Sequence, residues 1–150
     1  MHIVVVGLSH RTAPVEVREK LSIPDQSISE SLKVLKSFSD ILEVSILSTC
    51  NRLEIYGLVK DKNIGISSIK EFLSDYSGVT FETLNPHLFD FRQEEAVLHL
   101  MKVSAGLDSL VLGEGQILSQ VKKMMRLGQE NQSTGPILNL SLIHISSPRD

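Results

Sequence analysis

Short apolar runs alternate with amphipathic stretches through the first part of the sequence, and their order restricts the fold more than any other feature. Strand-like and helical segments follow one another as β-α-β-β-α-β, at residues 3–8, 22–38, 41–49, 53–59, 63–78 and 86–91. Apolar residues are contiguous or β-branched in the strand-like runs, whereas in the two helical segments they recur every three or four residues. This order predicts an α+β protein with a ferredoxin-like fold, in which helices cover one face of an antiparallel sheet.

The sequence turns helical after Arg92. Apolar residues have helical spacing in 93–112 and 116–132, and a Gly-Glu-Gly break separates the two segments. We expect these helices to pack on or beside the sheet. Residues 1–139 are predicted to form one domain. Residues 140–150 combine a short apolar run with an uncapped Ser-Ser-Pro-Arg-Asp end, so we interpret them as a truncated or non-native tail.

Composition and charge exclude several classes of protein. A chain of 150 residues that is 41% hydrophobic and 22% charged fits one globular domain. The net charge of -3 argues against a broad basic face for nucleic acid and leaves only local contact open. A basic group at Lys122, Lys123 and Arg126 favours a solvated helix face, with a nucleic-acid patch as the alternative. No apolar run approaches the ~20 residues of a membrane helix, and the N-terminus is typical of a first strand, so we predict a cytoplasmic protein without a membrane partner.

The stretch STCNRLEIY contains the only cysteine of the sequence, Cys50, at the break between two strand-like runs. A lone cysteine excludes an internal disulfide, and the five histidines lack metal-site spacing, so no metal is predicted. A cysteine is often just a small buried residue. The alternative is a nucleophile, because the adjacent Arg52 and the free backbone N–H groups of a loop favour the thiolate.

Two further positions carry open alternatives. The spacing around His99 favours a half-buried core histidine, and the alternative is a proton donor or an orienting group for Cys50 chemistry. The G-x-G that begins at Gly113 is not a dinucleotide loop, because Leu118 takes the place of the third glycine and no strand precedes it. That segment is either a helix start in which the glycines only ease the backbone conformation, or a helix N-terminus whose N–H groups hold a carboxylate.

Three motifs, GLSHRTAPVEVREKLSIP, STCNRLEIY and HLMKVSAGLDSLVLGEGQILSQVK, closely resemble the N-terminal catalytic domain of the glutamyl-tRNA reductases. The similarity spans residues 1–139. It implies an NADPH-dependent oxidoreductase that acts on glutamyl-tRNA in tetrapyrrole (porphyrin and haem) biosynthesis. In such an enzyme Cys50 attacks the aminoacyl ester, and NADPH reduces the resulting thioester to glutamate-1-semialdehyde.

The resemblance also implies roles for individual residues and for partners. His99 matches the family's residue important for activity. The substrate-pocket positions are Thr49, Asn51, Arg52, Ser109, Glu114, Gly115, Gln116 and Gln120. The implied partners are glutamyl-tRNA, a glutamate-1-semialdehyde aminotransferase and a second copy of the full-length chain.

Two departures from the family pattern qualify this prediction. Family members continue into an NADPH-binding domain and a dimerisation domain, and we predict that the cofactor site lies outside these residues. The ending LSLIHISSPRD also differs from the family's continuation. An alternative function is therefore a ferredoxin-like module that binds a small molecule without catalysis. A redox-sensing thiol is disfavoured, because no resolving cysteine is present.

Overall fold

A four-stranded antiparallel sheet organises the chain. The computed structural model describes residues 1–107 and 116–139. The strands lie in the order β2-β3-β1-β4, and they comprise β1 (His2–Ser9), β2 (Ile41–Ser48), β3 (Arg52–Val59) and β4 (Phe89–Arg92). Every neighbouring pair is antiparallel. This order and the intervening helices confirm the predicted α+β class and the ferredoxin-like βαββαβ topology.

Helices fill the connections between the strands and continue after the last one. They are α1 (Val15–Leu21), α2 (Asp25–Ser37), α3 (Lys62–Ser77), the short α4 (Phe81–Leu84), α5 (Glu94–Ser104) and α6 (Gln116–Glu130). A 3-10 turn, Asn85–His87, leads into β4. A further helical turn covers 136–139.

The sheet is covered on both faces, which is why its strands are apolar on both sides. One core joins Val4, Val6 and Ile55 of the sheet to apolar residues of α2 and α3. A second core joins Val5 and Tyr56 to α5 and α6, through Ala96, Leu100, Val103, Ile117, Val121 and Met124. Helices α5 and α6 therefore occupy the face that the ferredoxin-like pattern leaves open, and this confirms that they pack on the sheet.

Two helix predictions need correction. Helix α1 is absent from the predicted order, in which no element was assigned between the loop after β1 and the helix at 22–38. The predicted helix 93–112 ends at Ser104 in the structure. Gly106 has a φ of 75°, a left-handed conformation that stops a helix and that glycine adopts without strain. The Gly-Glu-Gly break and the tail at 140–150 lie outside the described residues.

Candidate functional site

The connection between β2 and β3 is a short loop, 49–51, held by hydrogen bonds at each end. The Thr49 N–H donates to the Arg52 carbonyl at 2.9 Å, and the Asn51 N–H donates to Thr49 Oγ1 at 3.2 Å. The His10 N–H, just beyond β1, donates to the Asn51 carbonyl at 2.9 Å. These bonds fix the loop between two packed strands, and Cys50 at its tip is exposed to solvent.

Cys50 opens into a cleft of about 410 Å³ at this end of the sheet. The 48–52 segment forms one wall, and the approach to α2, through Ser22, Ile23, Pro24 and Asp25, forms another. The first turns of α6 close the third side with Gln116, Ile117, Gln120 and Lys123. The Ile23 N–H donates to Ser48 Oγ at 3.1 Å, which ties two of the walls together.

A buried carboxylate lies beneath the cleft. Arg52, Glu54 and Tyr56 alternate along β3, so their side chains lie on the same face of the sheet. Glu54 is fully buried, and its Oε2 accepts a hydrogen bond from Arg52 Nη1 at 2.9 Å in an ion pair. The Tyr56 hydroxyl donates to Glu54 Oε1 at 2.5 Å. Glu54 thus balances the charge of Arg52, which is 3% exposed and lines the cleft.

His99 reaches the same carboxylate from α5. Its Nε2–H donates to Glu54 Oε2 at 2.7 Å, and its ring lies 4.9 Å from Phe89 and 5.1 Å from Phe91, measured between centroids. A carboxylate oxygen accepts hydrogen bonds, so Nε2 is the donor in this contact. Through Glu54, His99 is connected to Arg52, while its ring packs against both phenylalanines.

The structure brings most of the predicted site residues together. Thr49, Cys50, Asn51, Arg52, Gln116 and Gln120 all line the cleft. His99 does not line it and meets the site only through Glu54. Ser109, Glu114 and Gly115 lie outside the described residues. Their functional roles stay predictions.

Glu54 and Tyr56 were missed by the sequence reasoning. The signal was present in the same stretch, because R-x-E-x-Y on a strand places all three side chains on one face. A charged pair in a strand that otherwise contains apolar residues is rarely buried unless its members neutralise each other.

The arrangement suits covalent chemistry on a carboxylate-bearing substrate. An exposed thiol on a fixed loop can reach an electrophilic carbon, and a guanidinium beside it can pair with a carboxylate. In residues 1–107 and 116–139, no group of three or more His, Cys, Asp or Glu side chains could hold a metal ion. Over the same ranges, no helix has the length and apolarity needed to span a membrane.

The fold and the cleft define a class: a ferredoxin-like α+β domain with helices on both faces of its sheet and an exposed cysteine in the loop of the β2–β3 hairpin. The family model described as glutamyl-tRNAGlu reductase, N-terminal domain, matches residues 6–146. The chain therefore belongs to this family.

Relatives agree with this membership. Proteins named glutamyl-tRNA reductase from Prochlorococcus marinus (strain AS9601) and Synechococcus sp. (strain CC9311) are 91% and 68% identical over 139 residues. Each match covers 93% of this chain and 32% of the relative, so the chain spans about a third of the length of these relatives. By name these relatives are oxidoreductases.

A solved structure shares the fold. The glutamyl-tRNA reductase from Methanopyrus kandleri superposes with a TM-score of 0.74 at 28% identity. The superposition covers 96% of this chain and 32% of that protein. Nearly all of this chain therefore corresponds to one part of the larger reductase.

Proposed function

We propose that this chain accepts the glutamyl group of glutamyl-tRNA on Cys50. The thiolate sulfur bonds to the ester carbonyl carbon, and the bond from that carbon to the ribose oxygen breaks. The ribose oxygen takes up a proton, so the products are uncharged tRNA and a glutamyl thioester on Cys50. The observation that carries the proposal is the exposed Cys50 on a fixed loop, in a cleft shared with Arg52.

Arg52 is proposed to bind the side-chain carboxylate of the glutamyl group. Arg52 lines the cleft one residue beyond Asn51, and its guanidinium is fixed by the ion pair with Glu54. Thr49, Asn51, Gln116 and Gln120 add neutral hydrogen-bonding groups around the same space. Polar groups that converge on one cleft are typical of a small-substrate site. Ser109, Glu114 and Gly115 keep the pocket role that the resemblance implies.

His99 is proposed to position Arg52 by holding Glu54. A group that acts through another residue in this way orients the site and does not touch the ester. The distinction matters, because His99 was predicted as a catalytic residue. The hydrogen bond from Nε2 to Glu54 supports the orienting role.

In the family's second step, the thioester is reduced to glutamate-1-semialdehyde for tetrapyrrole biosynthesis. NADPH supplies the hydride for this reduction. The described residues do not fit a dinucleotide, which binds at the carboxyl ends of parallel strands. Their sheet is antiparallel throughout. The chemistry proposed for this chain therefore ends at the thioester, and the aminotransferase and homodimer partners stay predictions.

The test is intact-mass measurement after incubation with tRNA that carries isotopically labelled glutamate. We expect a glutamyl adduct on the wild-type chain and none on Cys50→Ala, because the sequence contains no second cysteine. Cys50→Ser is a closer isostere and checks that the thiol, not the space it fills, is required. Matched thermal melts confirm that the variants fold.

A different result would contradict the proposal. An adduct that persists in Cys50→Ala would place the reaction on another residue. Absence of any adduct, together with glutamate binding by calorimetry that is unchanged in Cys50→Ala, would favour the small-molecule binding module.

A further inference from the structure

A groove leads from the Cys50 cleft along α6. Gln120 and Lys123 line both the cleft and a second, more open space of about 410 Å³. Ser119, Lys122 and Arg126 complete the walls of this second space. We call it the α6 groove. Among the described residues, its walls carry three cations and no carboxylate, in a chain whose net charge is -3.

Helix packing fixes which side of α6 faces the groove. Ile117, Val121 and Met124 are buried in the second core, so the helix cannot rotate without exposing them. Lys122 and Arg126 are four residues apart and lie on the same side of the helix, outside this buried stripe. The cations are thus presented together next to the cleft.

The ion pairs of these cations are exposed and weak. Lys123 pairs with Asp25, whose side chain is 68% exposed. Arg126 Nε lies 3.6 Å from Glu130 Oε1, and both side chains are more than half exposed. Lys122 forms no ion pair within the described part of the chain. Exposed pairs of this kind contribute little to stability, so a phosphate can displace the carboxylate partners.

We propose that the α6 groove binds backbone phosphates at the 3′ acceptor end of the aminoacyl-tRNA. This rests on the proposed function, which places the ester carbon at Cys50. The ester is covalently attached to the terminal ribose, so the last nucleotides must lie at the mouth of the cleft. The α6 groove is continuous with that mouth, and its cations and the Ser119 and Gln120 side chains are typical phosphate ligands.

Local charge explains how an acidic chain can accept RNA. A broad basic face is not needed when a few phosphates are neutralised next to the reacting group. The sequence favoured a solvated helix face for Lys122, Lys123 and Arg126, because spacing alone does not show what lies beside a helix. Their position in a groove that adjoins the cleft changes that interpretation.

The test compares two glutamyl donors for Cys50. One is glutamyl-tRNA, and the other is glutamate α-thiobenzyl ester, which carries no nucleotide. The variant is Lys122→Ala/Arg126→Ala, which removes two exposed cations outside the cleft and keeps helix propensity. The control is Lys62→Ala. Lys62 is exposed and follows the far end of β3, and the strand rise places that end about 23 Å from Arg52.

We expect the double variant to acylate from glutamyl-tRNA at least about tenfold more slowly at low salt. In a plot of the logarithm of this rate against the logarithm of salt concentration, the slope should become shallower by about two, one for each lost phosphate contact. Acylation from the thiobenzyl ester should match wild type, and Lys62→Ala should behave as wild type with both donors. An unchanged rate with glutamyl-tRNA, or an equal loss with both donors, would overturn the proposal.

A binding measurement separates this proposal from the function on which it rests. A fluorescent RNA hairpin with a single-stranded 3′ end is titrated into Cys50→Ser, with and without the double substitution. Weaker, less salt-dependent binding of the double variant supports the α6 groove even if no donor acylates Cys50, in which case the acyl-transfer function alone fails. Equal binding by both proteins overturns the groove.

Discussion

At the scale of single residues, the site depends on a buried charge that never contacts solvent. Glu54 accepts hydrogen bonds from Arg52, Tyr56 and His99, which belong to one strand and one helix. A carboxylate in the core costs several kcal/mol unless it is paired and hydrogen-bonded. Here both oxygens have partners, so the cost is offset and three side chains are fixed relative to one another.

Glu54→Gln tests this arrangement. The substitution leaves the Arg52 guanidinium buried without its counter-charge, and breaking a buried pair costs about 3 kcal/mol or more. Tyr56→Phe removes one hydrogen bond and should cost only about 1 kcal/mol. Urea unfolding measures both, and Cys50 acylation by the thiobenzyl ester should slow in Glu54→Gln. Equal losses of unfolding free energy in the two variants would contradict a central role for the Glu54 charge.

Gly7 is required where β1 approaches this charge. It pairs with Glu54 in the register, and an added Cβ would lie 2.4 Å from the Leu53 carbonyl oxygen. Because that neighbour is backbone, Gly7→Ala should separate the strands and cost about 1–3 kcal/mol.

Gly57→Ala is the matched control for Gly7. A Cβ there meets its neighbours at 3.6 Å, which is ordinary contact, so unfolding free energy should change little. Thermal or urea unfolding of both variants checks the comparison. A Gly7→Ala protein as stable as Gly57→Ala would show that the strands adjust without cost.

At the scale of elements, α3 begins with a charged cap. The Asp61 carboxylate accepts from the Ile64 N–H at 3.0 Å and the Asn63 N–H at 2.9 Å. The hydrogen bond from Ile64, with that from Asn63, holds the pKa of Asp61 below its ordinary value of 3.8. A carboxylate at a helix N-terminus is also favoured by the helix dipole.

The lowered pKa gives the cap a predictable pH dependence. Because the folded pKa lies below the unfolded one, the charged cap stabilises the fold above pH 3.8, and this stabilisation is lost as pH falls through the folded pKa. Asp61→Asn keeps a capping oxygen without titrating, whereas Asp61→Ala removes the cap. Chemical unfolding at neutral pH should rank wild type above Asn and Asn above Ala. A wild-type advantage over Asn that grew in acid would contradict the sign.

The sequence predicted the elements in which apolar residues recur with a clear period, and it missed elements in which they do not. Residues 63–78 have clear helical spacing and end at Gly78, and α3 occupies nearly the same residues. Helix α1 has only seven residues, no side-chain cap and one buried residue, Leu21, so no periodic signal precedes α2. Helix α5 was predicted too long for a different reason, since the apolar pattern continues past the left-handed Gly106.

The sequence also predicted only part of the candidate site. Cys50 and Arg52 stand out at a break between strands, and both line the cleft. The R-x-E-x-Y spacing puts Glu54 on the same face as Arg52, but its burial follows only from the packing on both faces of β3. The separation of His99 from the cleft depends on how α5 docks, which no local pattern encodes.

At the scale of the whole molecule, the edge strand β2 anchors the helices that form one wall of the cleft. Val44 N–H donates to the Ser133 carbonyl at 2.8 Å, and Ser45 Oγ donates to the Met124 carbonyl at 3.3 Å. The buried Glu43 carboxylate accepts from the N–H groups of Gly135 and Leu138, at the start of the 136–139 turn. These contacts cover a sheet edge that would otherwise be free to pair with another chain.

Glu43 therefore controls the stability of the cleft from a distance. Glu43→Ala leaves two backbone N–H groups near the β2 edge without an acceptor and should cost about 2 kcal/mol or more. Because α6 carries Gln116, Gln120 and Lys123 into the cleft, its looser attachment should also slow Cys50 acylation. Glu43→Gln retains an acceptor oxygen and should lie close to wild type in both respects.

Hydrogen exchange distinguishes this effect from general destabilisation. Amides of α6 and of 131–139 should lose protection in Glu43→Ala, while those of β1 and β3 at the centre of the sheet should change least. The two-sided packing of the sheet allows this, because the buried residues of α6 belong to the second core and α6 reaches the first core through the partly buried Leu127. A uniform loss of protection across both cores would mean that the two faces unfold as one unit, and the cleft would then have no separate anchor at the β2 edge.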